Sequence, residues 1–196
     1  GGPYYMDLRQ LMQSFVKYRP DIGYVQGMSY IGALLLLYMT PLQAFVALTN
    51  MLSQYHFLNF FTMKLQVISP YLNTFEYFFE NKLPKLFKHF KEIGIKPAFY
   101  LIEWYVTLFS KSFPLDFSCR IWDTFFLLGE LYIHQTALGT LLYFQKNLLS
   151  GDFEQCMLFL THLPTQKSEW DEAKFFKCID SLKLHKKQLL LIKDKF

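Results

Sequence analysis

Residues 97–129, PAFYLIEWYVTLFSKSFPLDFSCRIWDTFFLLG, decide the fold class. Apolar and aromatic side chains recur in this stretch every three or four residues, which is the spacing of one helix face. Pro97 and Pro114 stand where two helices would begin, and Gly129 stands where the second would end, which is the order that helix termini favour. The stretch predicts one helix from Pro97 to residue 109 and a second from Pro114 to residue 128.

The same pattern of proline and glycine continues outward to both ends of the chain. No run of alternating apolar and polar residues indicates a strand, and no fixed repeat indicates a solenoid. We therefore predict an all-α protein, a single irregular multi-helix domain of about ten helices that spans residues 1–196. The helices are expected at 8 to about 19, 26–39, 40–52, 65–83 with a break or kink at Pro70, 84–94, 97–109, 114–128, 131–149, 152–162 and 168–193.

The composition supports a folded helical domain. Of the 196 residues, 52% are hydrophobic and 19% aromatic, whereas only 18% are charged. This balance excludes a disordered chain, because such chains lack the apolar surface needed for a core. The net charge of +4 is modest, and the chain has three arginines, so we expect no nucleic-acid partner, which would need a denser basic face.

The cysteines and the apolar stretches indicate where in the cell the protein is expected. Three widely spaced cysteines without a CxxC pair indicate reduced thiols and a cytoplasmic protein. Residues 28–48 are apolar, but Thr40-Pro41 interrupts them as a helix start, so two helices are expected and no transmembrane segment. The lysines from Lys183 onward leave a peripheral contact with anionic membranes open, although a solvated amphipathic helix face is the favoured explanation.

Most enzyme signatures are missing from the sequence. It contains neither a GxxxxGK[ST] phosphate loop nor a GxGxxG string. The five histidines never pair at the spacing of helical metal ligands, so we expect no metal site.

One segment stands apart, residues 18–30, YRPDIGYVQGMSY. Gly23 allows a backbone turn, and Gly27 omits a side chain where another group can approach closely. Gln26 stands at the start of an apolar helix, and its neutral amide can orient a water molecule but is poorly suited to removing a proton. The alternative is that Gln26 only hydrogen-bonds the beginning of the helix, as most such groups do.

Two motifs carry a resemblance to a known family. Residues 24–28, Tyr-Val-Gln-Gly-Met, resemble the second signature motif of the TBC family of Rab GTPase-activating proteins, whose core is Tyr-x-Gln-Gly-Met. Residues 113–123, FPLDFSCRIWD, resemble the third motif, Leu-Pro-Leu-x-x-x-x-Arg-Ile-Trp-Asp, with Phe113 in place of the leucine. The order and separation of the two motifs also fit, and the resemblance covers essentially the whole chain.

The resemblance implies a function for the first motif. Gln26 would be catalytic: it would enter the active site of a Rab-family small GTPase and position the attacking water. Tyr24 would brace the loop and touch the nucleotide site, and Gly23 and Gly27 would belong to the same substrate-binding loop. The chain would need no cofactor of its own, since GTP and Mg²⁺ would arrive with the partner.

The third motif is expected to be structural. Asp116 lies in the first turn of a helix, where a carboxylate is favoured, and four residues before Arg120 it is well placed for an ion pair. Trp122 supplies core area, and Asp123 ends the motif. We expect these four residues to support the Gln26 region.

A further family motif, Ile-x-x-Asp-x-x-Arg, supplies an arginine that stabilises the transition state. Nothing in residues 1–20 matches it, so the arginine is expected upstream of residue 1 and the TBC domain is expected to be N-terminally truncated. Since such an arginine contributes on the order of 10³–10⁵ in rate, the 196 residues alone should be nearly inactive.

Two alternatives stay open. One is a non-catalytic Rab-binding or scaffold domain that kept the fold and Gln26, and the other is a general helical interaction module. The leading hypothesis is a GTPase activator that acts in vesicle trafficking, located in the cytoplasm and peripheral to endomembranes.

Overall fold

The computed structural model describes residues 2–61, 64–163 and 170–185, and these ranges contain helices and no strand. This confirms the all-α prediction. Twelve helices follow one another in the described ranges: α1 (Tyr5–Tyr18), α2 (Met28–Leu36), α3 (Pro41–Leu52), α4 (Tyr55–Phe61), α5 (Leu65–Lys82), α6 (Pro84–Glu92), α7 (Ala98–Val106), α8 (Leu115–Leu128), α9 (Leu131–Tyr143), α10 (Gln145–Ser150), α11 (Phe153–Thr161) and α12 (Glu172–Ser181).

Local sequence signals set several helix ends as predicted. Pro114 immediately precedes α8, and Gly129 follows it with a φ of 84°. Thr40 caps α3: its hydroxyl accepts from the Gln43 amide at 3.5 Å, and its own amide donates to the Gln43 side chain at 3.0 Å. The apolar stretch around Thr40 is thus two helices, and within the described residues no helix is long and apolar enough to cross a membrane.

Two parts of the helix pattern differ from the prediction because no proline or glycine marks the helix ends there. Helix α4 was not predicted, because neither proline nor glycine flanks it. The helix expected at 131–149 is divided at Phe144, whose ring packs edge-on against Phe159 at 4.8 Å and against Trp170 at 4.9 Å. Tertiary packing, rather than a helix-breaking residue, marks this division.

Other helix boundaries also move. Helix α5 continues through Pro70, so the predicted interruption does not end it; the proline is the sixth residue of α5 and removes a single backbone hydrogen bond near its start. Helix α12 ends at Ser181, short of the expected end. Residues 168–169 and 186–193 of that predicted helix, with three of its six lysines, lie outside the described residues.

The packing of the helices positions the site. Helix α9 is buried along nearly its whole length and packs against α7, α8 and α12. Helices α1, α2 and α3 pack on one another and form a second group. The start of α2 contacts the end of α7 between these two groups. At this contact Gly27 lies directly against Val106.

Candidate functional site

Gln26 lies in the turn that leads into α2, and its side chain is exposed. An open groove of about 640 Å³ runs beside it, between the loop before α2 and the outer face of α7. The amide is therefore at the surface, with room next to it for part of another molecule. The groove is lined by Tyr24, Val25, Gln26, Gly27, Tyr30, Ala98, Phe99, Ile102, Glu103, Val106, Thr107 and Lys111.

Gly27 explains why the helix begins after Gln26 and not at it. Its φ of 109° is a conformation that side-chain-bearing residues rarely adopt, so α2 starts at Met28 rather than at residue 26 as predicted. A Cβ on Gly27 would lie 2.8 Å from Val106 Cγ1 and 3.2 Å from Thr107 Cγ2. The expected close approach is confirmed, and the group that approaches is α7 of the same chain.

Gly23 makes the turn that was predicted for it. Its φ is 69°, and its amide donates to the Arg19 carbonyl at 3.0 Å. The Arg19 guanidinium holds both oxygens of Asp21, at 2.9 and 2.7 Å, and reaches Ser53 Oγ on the adjacent α3 end at 3.3 Å. The hydrogen bonds from Arg19 lower the pKa of the Asp21 carboxyl. Arg19 thus anchors the loop and is not available as a charge at the groove.

Tyr24 braces the loop across its own turn. Its hydroxyl donates to Ser29 Oγ at 3.3 Å, while 53% of the residue stays exposed. Inside this turn the Val25 amide lies 3.4 Å from Met28 Sδ, and Met28 is fully buried. Gln26 is therefore presented from a short loop whose ends are fixed on both sides.

A strained turn supports the opposite wall of the groove. Helix α7 ends at Val106, earlier than predicted, because Leu108 and Phe109 have φ values of 46° and 64°. Bulky residues avoid this left-handed region at a cost of order 1–3 kcal/mol each, so surrounding contacts must impose it. The Trp122 indole donates to the Leu108 carbonyl at 2.8 Å, and the Phe109 amide donates to the Trp104 carbonyl at 2.8 Å. Trp122 thereby reaches the Gln26 groove indirectly, through the end of α7.

The other three residues of the third motif do not line the groove. Arg120 is exposed, forms an ion pair with Glu172 at 3.3 Å and stacks on the Phe176 ring at 3.9 Å, so it connects α8 to α12. Asp116 and Asp123 are exposed on α8. Their support for Gln26 stays a prediction.

The carboxylates on α8 do lie near the far end of α2. The Tyr38 hydroxyl and Cys119 Sγ are 3.1 Å apart, and this hydrogen bond raises the pKa of Tyr38. Smaller contributions in the same direction come from the negative charges of Asp116 and Asp123. Helix α8 therefore contacts the residues that follow α2, at the end opposite Gln26.

Sequence reasoning missed the outer face of α7. Phe99 is 48% exposed, and Glu103 forms an ion pair with Lys111 within the groove wall. The helical period contained the signal: Leu101 and Trp104 share one face of this helix, so positions 99, 102, 103 and 106 share the opposite face. The helical period could not predict that the loop before α2 would form the other wall of the groove.

The groove combines an apolar lining with a few polar groups. Within the part of the chain that the structure describes, no three His, Cys, Asp or Glu side chains are close enough together to hold a metal ion. The polar groups of the groove include the side-chain amide of Gln26, the hydroxyls of two tyrosines, and an ion pair between Glu103 and Lys111 whose charges cancel.

Comparison with known proteins identifies the family. A family model described as Rab-GTPase-TBC domain matches residues 3–149. The rat protein TBC1 domain family member 12 is 43% identical over 184 residues, which are 94% of this chain and 26% of that protein. Human TBC1 domain family member 14 is 46% identical over 164 residues, 84% of this chain and 24% of that protein. Drainin from Dictyostelium discoideum is 41% identical over 188 residues, 96% of this chain and 42% of that protein.

Solved structures show the same fold. The Chlamydomonas flagellar RabGAP TBC domain superposes with a TM-score of 0.75 at 22% identity, over 90% of this chain and 58% of the other. The Ypt/Rab-GAP domain of Gyp1p gives 0.70 at 18% identity, over 90% and 63%. The chain spans about a quarter of the length of the TBC1 relatives that it matches. On the family match and these relatives, the chain belongs to the Rab-GTPase-TBC domain family, the family that its two motifs resemble.

Proposed function

We propose that this chain accelerates GTP hydrolysis by a Rab-family small GTPase, with Gln26 inserted into the partner's active site to orient the attacking water. One observation carries the proposal: Gln26 is exposed beside an open groove, at the start of a buried helix that holds its loop in place. The nucleotide and its Mg²⁺ belong to the partner.

The side chain of Gln26 suits this task. Hydrolysis of GTP needs a water held in line with the transferring phosphoryl group and stabilisation of the charge that develops there. An amide can accept a hydrogen bond from the water and donate one to a phosphoryl oxygen, without titrating near neutral pH. The loop supplies the required rigidity, because Arg19 anchors one side of it and the contact of Gly27 with Val106 anchors the other.

The rim of the groove favours a protein as the partner. Tyr24, Tyr30 and Phe99 line it with exposures of 53%, 42% and 48%. Aromatic side chains are enriched in the centres of protein interfaces, where they bury large areas at low entropic cost. Three partly exposed rings around one free amide are suited to holding a protein surface against Gln26.

The positive charge for the transition state is proposed to come from outside the described groove. Lys111 is the one cation among the groove-lining residues, and Glu103 neutralises it. Arg19 is held by Asp21, and Arg9 lies on α1 away from the groove. In accordance with the family resemblance, we assign this charge to an arginine upstream of residue 1.

A single-turnover assay tests the proposal. Phosphate release is measured for a panel of GTP-loaded Rab proteins, with the chain extended upstream through the arginine motif and with its Gln26→Ala variant. Removing one group that stabilises such a transition state typically costs about 10²–10³ in rate, and we expect a loss of that order with the fold unchanged. The matched control is Gln13→Ala, an exposed glutamine on α1 outside the groove, which should keep the full rate.

The outcomes separate the proposal from its alternative. A Gln26→Ala variant that hydrolyses GTP within about twofold of the parent rate would overturn the role of Gln26. Binding of GTP-loaded Rab without any acceleration, even by the extended chain, would instead indicate a scaffold domain. A Rab partner would also place the protein in the cytoplasm, peripheral to endomembranes, with a role in vesicle trafficking.

A further inference from the structure

A second groove opens beside the first. It has a volume of about 460 Å³ and lies between the second half of α5, the end of α6 and the segment that leads into α7. Its floor is apolar, formed in part by Phe79 and Ile95, which are almost fully buried. The rim carries Lys91 and Lys96, both exposed, and Glu76 stands on the α5 wall.

The two grooves adjoin at the start of α7. Ala98, the first residue of α7, lines both of them. The Gln26 groove extends along the helix to Val106 and Thr107, so the nine residues of α7 separate Gln26 from the second groove. At 1.5 Å per residue this separation is about 13 Å.

A protein that contacts Gln26 is large enough to cover both grooves. A specific complex typically buries about 800 Å² on each partner, which corresponds to a circular patch with a radius of about 16 Å. Centred near Gln26, such a patch extends past the first turn of α7. The second groove therefore falls at the edge of the surface that the partner would bury.

The charges of the second groove indicate the chemistry of what enters it. Two lysines against one glutamate leave an excess positive charge on the rim above an apolar floor. An apolar side chain with a neighbouring carboxylate would fill the floor and meet Lys91 and Lys96. The Gln26 groove differs, since its ion pair between Glu103 and Lys111 leaves no net charge.

We propose that this second groove receives an acidic, apolar segment of the same GTPase and that Lys91 and Lys96 contribute to the choice of GTPase. The inference rests on the proposed function, because the GTPase at Gln26 is the occupant. In this proposal the groove at the start of α7 contributes affinity and selectivity for the GTPase, whereas Gln26, near the end of α7, acts in GTP hydrolysis.

The test reverses charge at the groove and, as a matched control, at two positions on α6 outside it. Lys91→Glu/Lys96→Glu is compared with Lys85→Glu/Lys88→Glu, whose lysines are exposed on α6 but do not line the groove. Both pairs change the net charge equally. Affinity is measured for the panel of Rab proteins loaded with a non-hydrolysable GTP analogue, at low and at high salt, and thermal unfolding confirms that each variant is folded.

We expect Lys91→Glu/Lys96→Glu to bind the preferred Rab about tenfold more weakly at low salt, mainly through slower association, with the difference shrinking at high salt. The control pair should bind within about twofold of the parent chain. With the extended chain at saturation, the rate of phosphate release should stay unchanged, because the lysines are remote from Gln26.

Four results would overturn the inference. Equal weakening by both pairs would mean that overall charge matters and not the groove. Loss of binding to vesicles of phosphatidylcholine and phosphatidylserine, with Rab binding intact, would assign the lysines to a membrane contact instead. Failure of the unmodified extended chain to bind any Rab would remove the proposed function and this inference together, whereas a parent chain that binds and a groove variant that binds equally well would remove the inference alone.

Discussion

Replacement of Gly27 by alanine should lower the free energy of unfolding substantially, because Gly27 is buried although the preceding residue, Gln26, is exposed. The new Cβ would lie 2.8 Å from Val106 Cγ1, a distance that side-chain carbons essentially never reach, and 3.2 Å from Thr107 Cγ2. The residue would also have to keep a φ of 109°. Both effects act at the contact that joins α2 to α7.

The magnitude follows from the two contributions. A side-chain-bearing residue in such a backbone conformation costs about 1–3 kcal/mol. Overpacking at a buried contact costs about 1–3 kcal/mol more, since Val106 is on a helix and cannot retreat freely. The total of roughly 2–6 kcal/mol is a large part of the 5–15 kcal/mol that stabilises a typical domain.

Gly23→Ala is the matched control for backbone strain alone. Gly23 has a φ of 69°, and no atom lies within 4 Å of the position its Cβ would take. Alanine there should cost only about 1–2 kcal/mol. Denaturant unfolding of both variants, with unchanged m-values, gives the comparison as a difference in midpoint. If Gly27→Ala were no more destabilising than Gly23→Ala, the close contact between α2 and α7 would not hold in solution.

Further predictions concern the supports and the rim of the site. Trp122→Phe removes the donor to the Leu108 carbonyl and should cost about 1–3 kcal/mol, measured by denaturant unfolding; an unchanged midpoint would show that the indole does not hold the turn. Burial lowers the pKa of His134 to about 3, and its ring lies 2.7 Å from the Tyr105 hydroxyl. Because the unfolded histidine takes up its proton near pH 6.5, the unfolding free energy should fall by about 1.4 kcal/mol per pH unit below that value. His134→Gln should remove this part of the slope between about pH 6.5 and 5, and an identical slope would contradict it. Phe99→Ala should change the unfolding free energy by less than about 0.5 kcal/mol but weaken Rab binding about tenfold, in a direct binding measurement; unaltered affinity would exclude Phe99 from the interface.

Local sequence signals predicted much of the fold because they act through neighbouring residues. Pro114 and Gly129 delimit α8, and Thr40 begins α3, each through backbone geometry that those residue types prefer. Gly27 was predicted to allow a close approach for the same reason. These signals need no knowledge of the rest of the chain.

The features that were missed depend on contacts between distant residues. The left-handed turn at Leu108 and Phe109 contradicts the preference of both side chains, and it is held by Trp122, which follows Leu108 by 14 residues. The sequence periodicity therefore predicted that α7 would extend to residue 109, whereas the helix ends at Val106. Likewise, the outer face of α7 could be read from the period, but its meeting with the loop before α2 required the packed structure.

The most direct test of the central claim compares affinities for a mimic of the transition state. Dissociation constants are measured for the extended chain and its Gln26→Ala variant against the Rab loaded with GDP alone and with GDP and aluminium fluoride, which imitates the transferring phosphoryl group. Because catalysis requires tighter binding of the transition state, the parent chain should bind the fluoride complex at least about 10²-fold more tightly than the GDP form. Gln26→Ala should lose most of that gain and keep its affinity for the Rab loaded with GDP alone. An equal gain in both proteins would contradict the account.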